Sequence, residues 1–316
     1  MICRTTLLTT MVTTILINRS RIAVLLLAIA VFLTCLPISA ISAGTRKIVV
    51  VKSADLKPYQ DVVLGLRDGC GCDVREVKLN VEEDKKNILG SHPDAIVAIG
   101  TAAFKKVITI TDIPVIYTMV MPSETTPPLN TNISGVSIDI SPETYISTMN
   151  SLFTKAKRIG LIYDPRNTKE FVGNAIKAAS ASRIELVTKQ VNDPSQVPAA
   201  LNEMQQKIDI LWLIPDPTVV TNEIVDYMFR FSFQNDIPIF TFSKKYIEMG
   251  AIASLDIEPY DMGEQAASIV NRVLARKSAG SNVYARKSHL TVNQKMATKL
   301  GFTIRTGSTT EVDTIE

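Results

Sequence analysis

Histidine and cysteine are scarce in this sequence, which excludes most metal chemistry. The 316 residues include two histidines and four cysteines, and two of those cysteines lie within the first 43 residues. Zinc and haem sites are built mainly from these residue types, so we expect no metal and no cofactor. His92 and His289 are interpreted as surface-loop residues, and no Gly-x-Ser-x-Gly motif or phosphate-binding glycine loop accompanies them. We therefore expect no enzymatic activity.

Outside residues 1–43, the chain has no surplus of basic over acidic residues. The chain has 34 basic and 31 acidic residues. Residues 1–43 hold Arg4, Arg19 and Arg21 and no acid, which leaves 34 − 3 = 31 basic residues against 31 acidic ones. A neutral body without lysine or arginine runs lacks the electrostatic footprint of a protein that binds phosphate backbones. We expect no nucleic-acid partner.

Long apolar runs are absent after Gly44. Before that point, residues 22–43 are mostly apolar, with Arg19 and Arg21 ahead of them and small residues at the end. A cationic start, a hydrophobic stretch and a small-residue end are typical of a secretory signal peptide, so we expect residues 1–43 to be removed and the mature protein to be periplasmic. The alternative is an uncleaved anchor, because about 20 apolar residues also span a bilayer.

Export would place Cys70 and Cys72 in an oxidising compartment. The intervening glycine makes a disulfide across this small loop conceivable, and two ordinary thiols at a helix end are the alternative. Redox catalysis is disfavoured because the spacing is not Cys-x-x-Cys.

Short β-branched runs alternate with amphipathic stretches along the rest of the chain. The predicted strands are Lys47–Lys52, Val74–Leu79, Ala95–Ile99, Pro114–Thr118, Ile133–Ser137, Arg158–Tyr163, Ile184–Lys189, Ile208–Ile214, Pro238–Phe242 and Ala251–Leu255. The predicted helices are Tyr59–Asp68, Thr101–Thr109, Pro142–Thr154, Asn167–Ala181, Val197–Gln206, Val219–Phe233 and Tyr260–Arg276. Continuous apolar strands separated by such helices indicate parallel sheets with helices on both faces.

The strand series restarts at Arg158, which predicts an α/β protein with two Rossmann-like, doubly wound lobes. We expect the first lobe to comprise residues 44–138 and about 257–286, and the second to comprise residues 139–256. Residues 287–316 form a C-terminal segment that returns across the hinge. Ligands of open parallel sheets bind beyond the carboxyl ends of the strands, so the ligand is expected in a cleft between the lobes.

The candidate ligand-binding residues stand at or just after the predicted strand ends. They combine hydroxyls, carboxylates, aromatic rings and a glycine, as a small ligand with polar and apolar parts requires: Ser53, Gly100, Thr101, Tyr117, Ser137, Asp164, Asp216, Thr218, Phe242, Ser243 and Asp256. Four of them, Ser53, Thr101, Asp164 and Asp216, precede predicted helices and could cap those helices instead.

Several segments together resemble a known family. They are GTAAFKKVITITDIPVIYTMV (100–120), ISGVSIDISPETYISTM (133–149), AKRIGLIYDPRNT (156–168), the stretch from IPIFTFSKK to IVNRVL (237–274) and LTVNQKMATKLGFTI (290–304). In this order they are similar to bacterial ABC-transporter substrate-binding proteins of the tryptophan/tyrosine-type group. The resemblance implies the type I periplasmic-binding-protein fold, in which two lobes close on a small ligand.

The function implied by the resemblance is delivery of a small molecule to the permease and ATPase subunits of an ABC importer. A sensory module that reports the ligand to a membrane receptor is the alternative. In either case we expect a monomer that meets the membrane only through its partner or an uncleaved leader.

The chain departs from the family pattern at positions that bear on the ligand. Phe242-Ser243 is followed by Lys244-Lys245 where the family commonly has an acid, and Glu258 stands where an aspartate is usual. An amino acid needs acceptors for its ammonium group, and Asp164, Asp216, Asp256 and Glu258 are the candidates. If these acids face the cleft, we expect an aromatic or branched amino acid, with Tyr117 and Phe242 as its apolar wall. If they cap helices, an uncharged or acidic solute is expected.

Overall fold

The computed structural model describes residues 45–78, 84–120, 132–275, 283–302 and 312–315, all within one compact unit, Thr45–Glu316. The expected signal peptide lies outside these residues. The strands, numbered in chain order, are β1 Lys47–Lys52, β2 Asp73–Lys78, β3 Ala95–Ile99, β4 Val115–Val120, β5 Ile133–Ile140, β6 Arg158–Tyr163, β7 Glu185–Gln190, β8 Ile210–Trp212, β9 Ile239–Thr241, β10 Ala253–Ile257, β11 Val283–Ala285, β12 Ser288–Asn293 and β13 Val312–Ile315.

The α-helices among the described residues lie between these strands. They are α1 Lys57–Cys70, α2 Asp84–Gly90, α3 Thr101–Val107, α4 Pro142–Leu152, α5 Pro165–Ala181, α6 Val197–Met204, α7 Asn222–Asn235, α8 Pro259–Leu274 and α9 Gln294–Lys299. Helix α7 begins later than the predicted Val219, because Val219 and Val220 form a turn on the carbonyl of Asp216 and Thr221 is the helix N-cap.

The first lobe is built on a parallel sheet with the strand order β11-β5-β4-β3-β1-β2. Its central strands are apolar on both faces, and all five residues of β3 are buried. One face packs under α1 and α8 and the other under α3. Near-continuous apolar strands are required when helices cover both faces of a sheet.

The second lobe has a sheet with the order β13-β12-β10-β9-β8-β6-β7. Strands β6 to β10 pair in parallel, whereas β12 runs antiparallel to β10. The predicted α/β fold with two doubly wound lobes is confirmed. Strands β11, β12 and β13 and helices α2 and α9 are additions to the predicted elements. His289 lies partly buried in β12 rather than in the expected surface loop.

The chain passes between the two sheets three times. The first passage leads from β5 into α4, which Ser141 caps by accepting a hydrogen bond from the Thr144 backbone N–H at 3.2 Å. The second leads from β10 to α8 and β11, and the third from β11 back to β12. Each lobe is therefore completed by chain that comes from the opposite lobe.

Cys70 and Cys72 are joined by a disulfide at the end of α1, with their Cα atoms 5.1 Å apart. This agrees with the disulfide alternative from the sequence. Among the described residues, every helix is too short or too polar to cross a membrane.

Candidate functional site

The carboxyl ends of β1 and β3 bring together three of the predicted site residues, Ser53, Gly100 and Thr101. The Ser53 hydroxyl accepts a hydrogen bond from the Ala103 backbone N–H at 2.9 Å, so Ser53 satisfies the first turn of α3 although it lies elsewhere in the chain. Gly100 has a φ of 87°, and a Cβ there would lie 2.5 Å from the Tyr59 hydroxyl oxygen. Only glycine fits this turn, and Thr101 follows it as a partly exposed first residue of α3.

Tyr117 and Ser137 are more deeply placed. The Tyr117 ring is 3% exposed and packs against Phe104, with ring centroids 5.0 Å apart. This ring belongs to the first-lobe core and is not an exposed wall of the candidate site. Ser137 is also buried, and its hydroxyl accepts a hydrogen bond from the Asp139 backbone N–H at 3.3 Å.

In the second lobe, β6 and β8 are adjacent strands, and a polar cluster lies at their carboxyl ends. We call it the Asp164–Asp216 cluster, and its members are Asp164, Arg166, Asn167, Thr168, Asp216 and Thr218. Asp164 caps α5 through the Arg166 backbone N–H at 2.9 Å and accepts a hydrogen bond from the Thr218 hydroxyl at 2.8 Å. The Arg166 guanidinium hydrogen-bonds the Asp164 carboxylate and holds its pKa well below the ordinary value.

Asp216 is fully buried and accepts four hydrogen bonds. One oxygen receives the Asp164 backbone N–H at 2.8 Å and the Thr168 hydroxyl at 2.7 Å. The other receives the Asn167 amide and the Thr218 backbone N–H, both at 3.0 Å. Asp216 therefore does not cap a helix. It fixes the turn after β8 and orients Asn167 and Thr218, which stay partly exposed.

The residues after β9 supply an apolar side chain at the carboxyl edge of the second sheet. Phe242 is half-buried, and its ring meets that of Tyr246 edge-on at 5.5 Å. Ser243 follows, also partly exposed. Asp256, near the end of β10, accepts hydrogen bonds from the Lys244 backbone N–H at 2.6 Å and the Ser254 hydroxyl at 2.7 Å, and burial raises its pKa.

The structure thus gathers most of the predicted residues into groups at the carboxyl ends of the strands. Ser53, Gly100 and Thr101 form one group in the first lobe, and Asp164, Asp216 and Thr218 form another in the second. Phe242, Ser243 and Asp256 lie along the neighbouring strands of the second sheet. In the described part of the chain, no set of three or more histidine, cysteine or acidic side chains could hold a metal ion.

Four residues that belong to these edges were missed from the sequence. Arg166 and Asn167 follow Asp164 in the segment DPRNT, and Tyr59 contacts the Gly100 turn from α1. Asp139 is only 6% exposed at the end of β5, and burial raises its pKa to about 7. The alternation of Ser137 and Asp139 along β5 puts both on the same face, which was the available signal for Asp139.

Comparison with known proteins gives this arrangement a context. The family described as ABC transporter substrate binding protein matches residues 78–310. A tyrosine-binding protein from Clostridioides difficile (strain R20291) is 29% identical over 201 residues. That match spans 59% of this chain and 56% of the relative, so the chain aligns with little more than half of that protein's length.

Solved structures share the fold at lower identity. The ligand-free, open structure of a substrate-binding protein with adhesive properties from Clostridium difficile has a TM-score of 0.65 and 20% identity, covering 86% of this chain and 99% of that one. An ABC domain from Streptococcus pneumonia in complex with L-Trp has a TM-score of 0.57 and 19% identity, covering 85% and 100%. The periplasmic-binding-protein fold expected from the resemblance is confirmed. Because the family match covers most of the chain, the protein belongs to the ABC transporter substrate-binding proteins.

Proposed function

We propose that this protein captures an aromatic amino acid between its two lobes, outside the cytoplasm, and delivers it to the permease and ATPase of an ABC importer. The observation that carries the proposal is that the half-buried Phe242 ring and the partly exposed polar groups of Asn167 and Thr218 all follow strands at the carboxyl edge of the second sheet. Small-ligand pockets combine an apolar wall with a few placed polar groups in this way. The tyrosine-binding relative supports the same choice of ligand.

Each part of such a ligand has a chemically matched group. Phe242 supplies an aromatic wall on which a ligand ring can stack. The Arg166 guanidinium is largely exposed while it bonds Asp164, which leaves donors for a ligand carboxylate. In the first lobe, the Thr101 hydroxyl is partly exposed at the start of α3. A ligand held by groups from both lobes favours the closed form in proportion to its greater affinity for that form.

The role is binding without chemistry, as is general in this family, and the protein acts as a monomer. Transport depends on the permease that recognises the closed form and on the ATPase that drives it. Binding energy is therefore used to bring the lobes together rather than to lower a reaction barrier.

A thermal-shift panel of the twenty common amino acids tests the ligand. We expect L-tyrosine or L-tryptophan to raise the melting temperature most, because a ligand at 100 times its dissociation constant stabilises the folded state by about 2.7 kcal/mol. The deaminated acids of both residues serve as matched controls with the same rings. Sugars and dicarboxylic acids are tested in further wells. Stabilisation by these compounds alone would contradict the proposed ligand.

A further inference from the structure

Three of the acids expected to bind a ligand ammonium group are already engaged within the protein. Asp164 is paired with Arg166, Asp216 accepts four hydrogen bonds, and Asp256 accepts two. A carboxylate whose acceptor sites are filled by protein donors offers little to an incoming cation. The fourth, Glu258, precedes α8, makes no side-chain capping hydrogen bond and is partly exposed. A more deeply buried acceptor for an amino-acid ligand lies elsewhere along the strand ends.

Asp139 has the required position. Strand β4 pairs with β5 up to Val120 and Ser137, so Asp139 lies two residues beyond the last paired position of that ladder. It is also two residues before Ser141, where the chain enters α4 and the second lobe. Asp139 therefore stands at the carboxyl end of its strand, on the passage between the lobes, which is where ligands of parallel sheets bind.

The Asp139 carboxylate is buried, and no basic side chain in the described part of the chain pairs with it. It is 6% exposed, and among the described residues no donor lies within hydrogen-bond distance of its side chain. Its backbone N–H is the group that bonds Ser137. Buried carboxylates in proteins are otherwise paired or hydrogen-bonded, because an isolated buried charge is costly. An unsatisfied carboxylate of this kind is ready to accept a cation.

The surroundings of Asp139 reinforce this preference for a cation. Burial raises the pKa of Tyr145 on α4 and of Tyr284 on β11, and the charge of Asp139 adds to both shifts. The other charged groups that act on these tyrosines are Asp256 from β10, Glu143 from α4 and Glu170 from α5, and all are acidic. His289 of β12 is paired in register with Asp256 and is the basic group next to that acid. The site therefore carries negative potential contributed by both lobes.

We propose that the carboxylate of Asp139 accepts the ammonium group of the bound amino acid. This inference rests on the proposed function, because it assumes an amino-acid ligand. It separates the two ends of that ligand: Asp139 receives the ammonium group at the passage between the lobes, while Phe242 contacts the side-chain ring. Asp139 then selects amino acids over the corresponding deaminated acids.

Calorimetric titration of the mature chain tests this role with two probes, L-tyrosine and 3-(4-hydroxyphenyl)propionate, which lacks only the ammonium group. We expect Asp139→Asn to weaken tyrosine binding about 10- to 100-fold, the range for a charge-assisted hydrogen bond. Binding of the deaminated acid should change less than about threefold, because the substitution removes no partner of that ligand. Asp226→Asn, which removes an exposed acid on α7, should change tyrosine affinity less than about threefold.

The outcomes separate the two proposals. If the wild-type protein binds neither tyrosine nor tryptophan, the proposed ligand is wrong and this inference falls with it. If wild-type protein binds tyrosine and Asp139→Asn binds it equally well, only the role of Asp139 is overturned. If the Asp139→Asn variant does not fold, the role of Asp139 is tested with wild-type protein instead, by measuring its ligand affinities between pH 8 and pH 5. Tyrosine affinity should fall by up to about tenfold per pH unit below pH 7 as Asp139 is protonated, while affinity for the deaminated acid stays level; parallel curves would overturn the role.

Discussion

Asp216 shows how a single buried carboxylate can organise a binding edge without contacting the ligand. Its four hydrogen bonds come from the backbone and side chains of β6, α5 and the turn after β8. Removing the carboxylate leaves the Thr168 hydroxyl and the Asp164 backbone N–H without their acceptor in a buried place. The dominant cost of such a change is the desolvation of the abandoned donors.

We therefore expect Asp216→Ala to lower the free energy of unfolding by roughly 2–4 kcal/mol, measured by urea denaturation. The sequence instead placed Asp216 among the candidate ligand-binding residues. Asp226→Ala, at an exposed position of α7, is the matched control and should change stability by less than about 0.5 kcal/mol. Equal stability of the two variants would show that Asp216 is not a structural centre.

The sequence does not show which carboxylates already accept hydrogen bonds within the protein. Position alone placed Asp164, Asp216 and Thr218 at strand ends, and the structure has them there in one cluster. Position does not reveal how many donors a carboxylate receives, because those donors come from residues about 50 positions away. For the same reason the sequence did not distinguish Asp216, whose acceptor sites are filled, from Asp139, whose carboxylate is unsatisfied.

At the scale of elements, the closest packing in the described structure joins α1 and α8. A Cβ on Gly65 would lie 2.0 Å from the Tyr260 carbonyl oxygen, and one on Gly263 would lie 2.1 Å from the Val62 carbonyl oxygen. Both glycines are needed because the two backbones approach each other directly. Helix α8 comes from the last part of the chain, and this contact joins its packing on the first-lobe sheet in attaching it to that lobe.

Gly263→Ala should therefore destabilise the protein by roughly 2–3 kcal/mol, because the helices must separate to admit the methyl group. Gly173 on α5 is the matched control, since a Cβ there meets nothing within 4 Å. Gly173→Ala should stabilise by about 0.5–1 kcal/mol through the lower conformational entropy of the unfolded chain. Denaturant unfolding of both variants measures the difference, and destabilisation of similar size in both would contradict the packing argument.

The predicted elements match the structure where the hydrophobic periodicity and the length of a segment indicate the same type of element. The strands from β1 to β10 were all anticipated, because apolar β-branched runs between helices are a strong signal. Strand β12 was missed because it contains polar residues and pairs antiparallel with β10 near the edge of the sheet. Of its two neighbours, only β10 precedes it in the chain. Short α2 lacked the length that distinguishes a helix from a turn.

At the scale of the whole molecule, three passages of chain join the lobes, and Asp139 lies beside the first of them. Hinge motions are absorbed by a few residues at the ends of elements. A ligand group bound beside the passages can thus be held throughout closure, while the more distant strand ends approach it.

Export is a prediction about the whole chain. We expect a mature protein that begins near Gly44, because the apolar and small residues end there and the charged body starts at Arg46. Amino-terminal sequencing of protein recovered from the periplasm measures this directly. Recovery of a membrane-bound protein that still carries residues 22–36 would establish the anchored alternative.

The threefold passage between the lobes has a consequence for biosynthesis. The first five strands of the first lobe are made by Ile140, yet the helix that covers Val62 and Leu66, and the edge strand β11, arrive only with residues 259–285. At a synthesis rate of about 5–20 residues per second, the 145 residues between Ile140 and the end of β11 take roughly 7–30 s. Until residues 259–285 are made, the apolar surface that α8 covers in the folded protein lacks that cover, so the first lobe cannot reach its native packing before then.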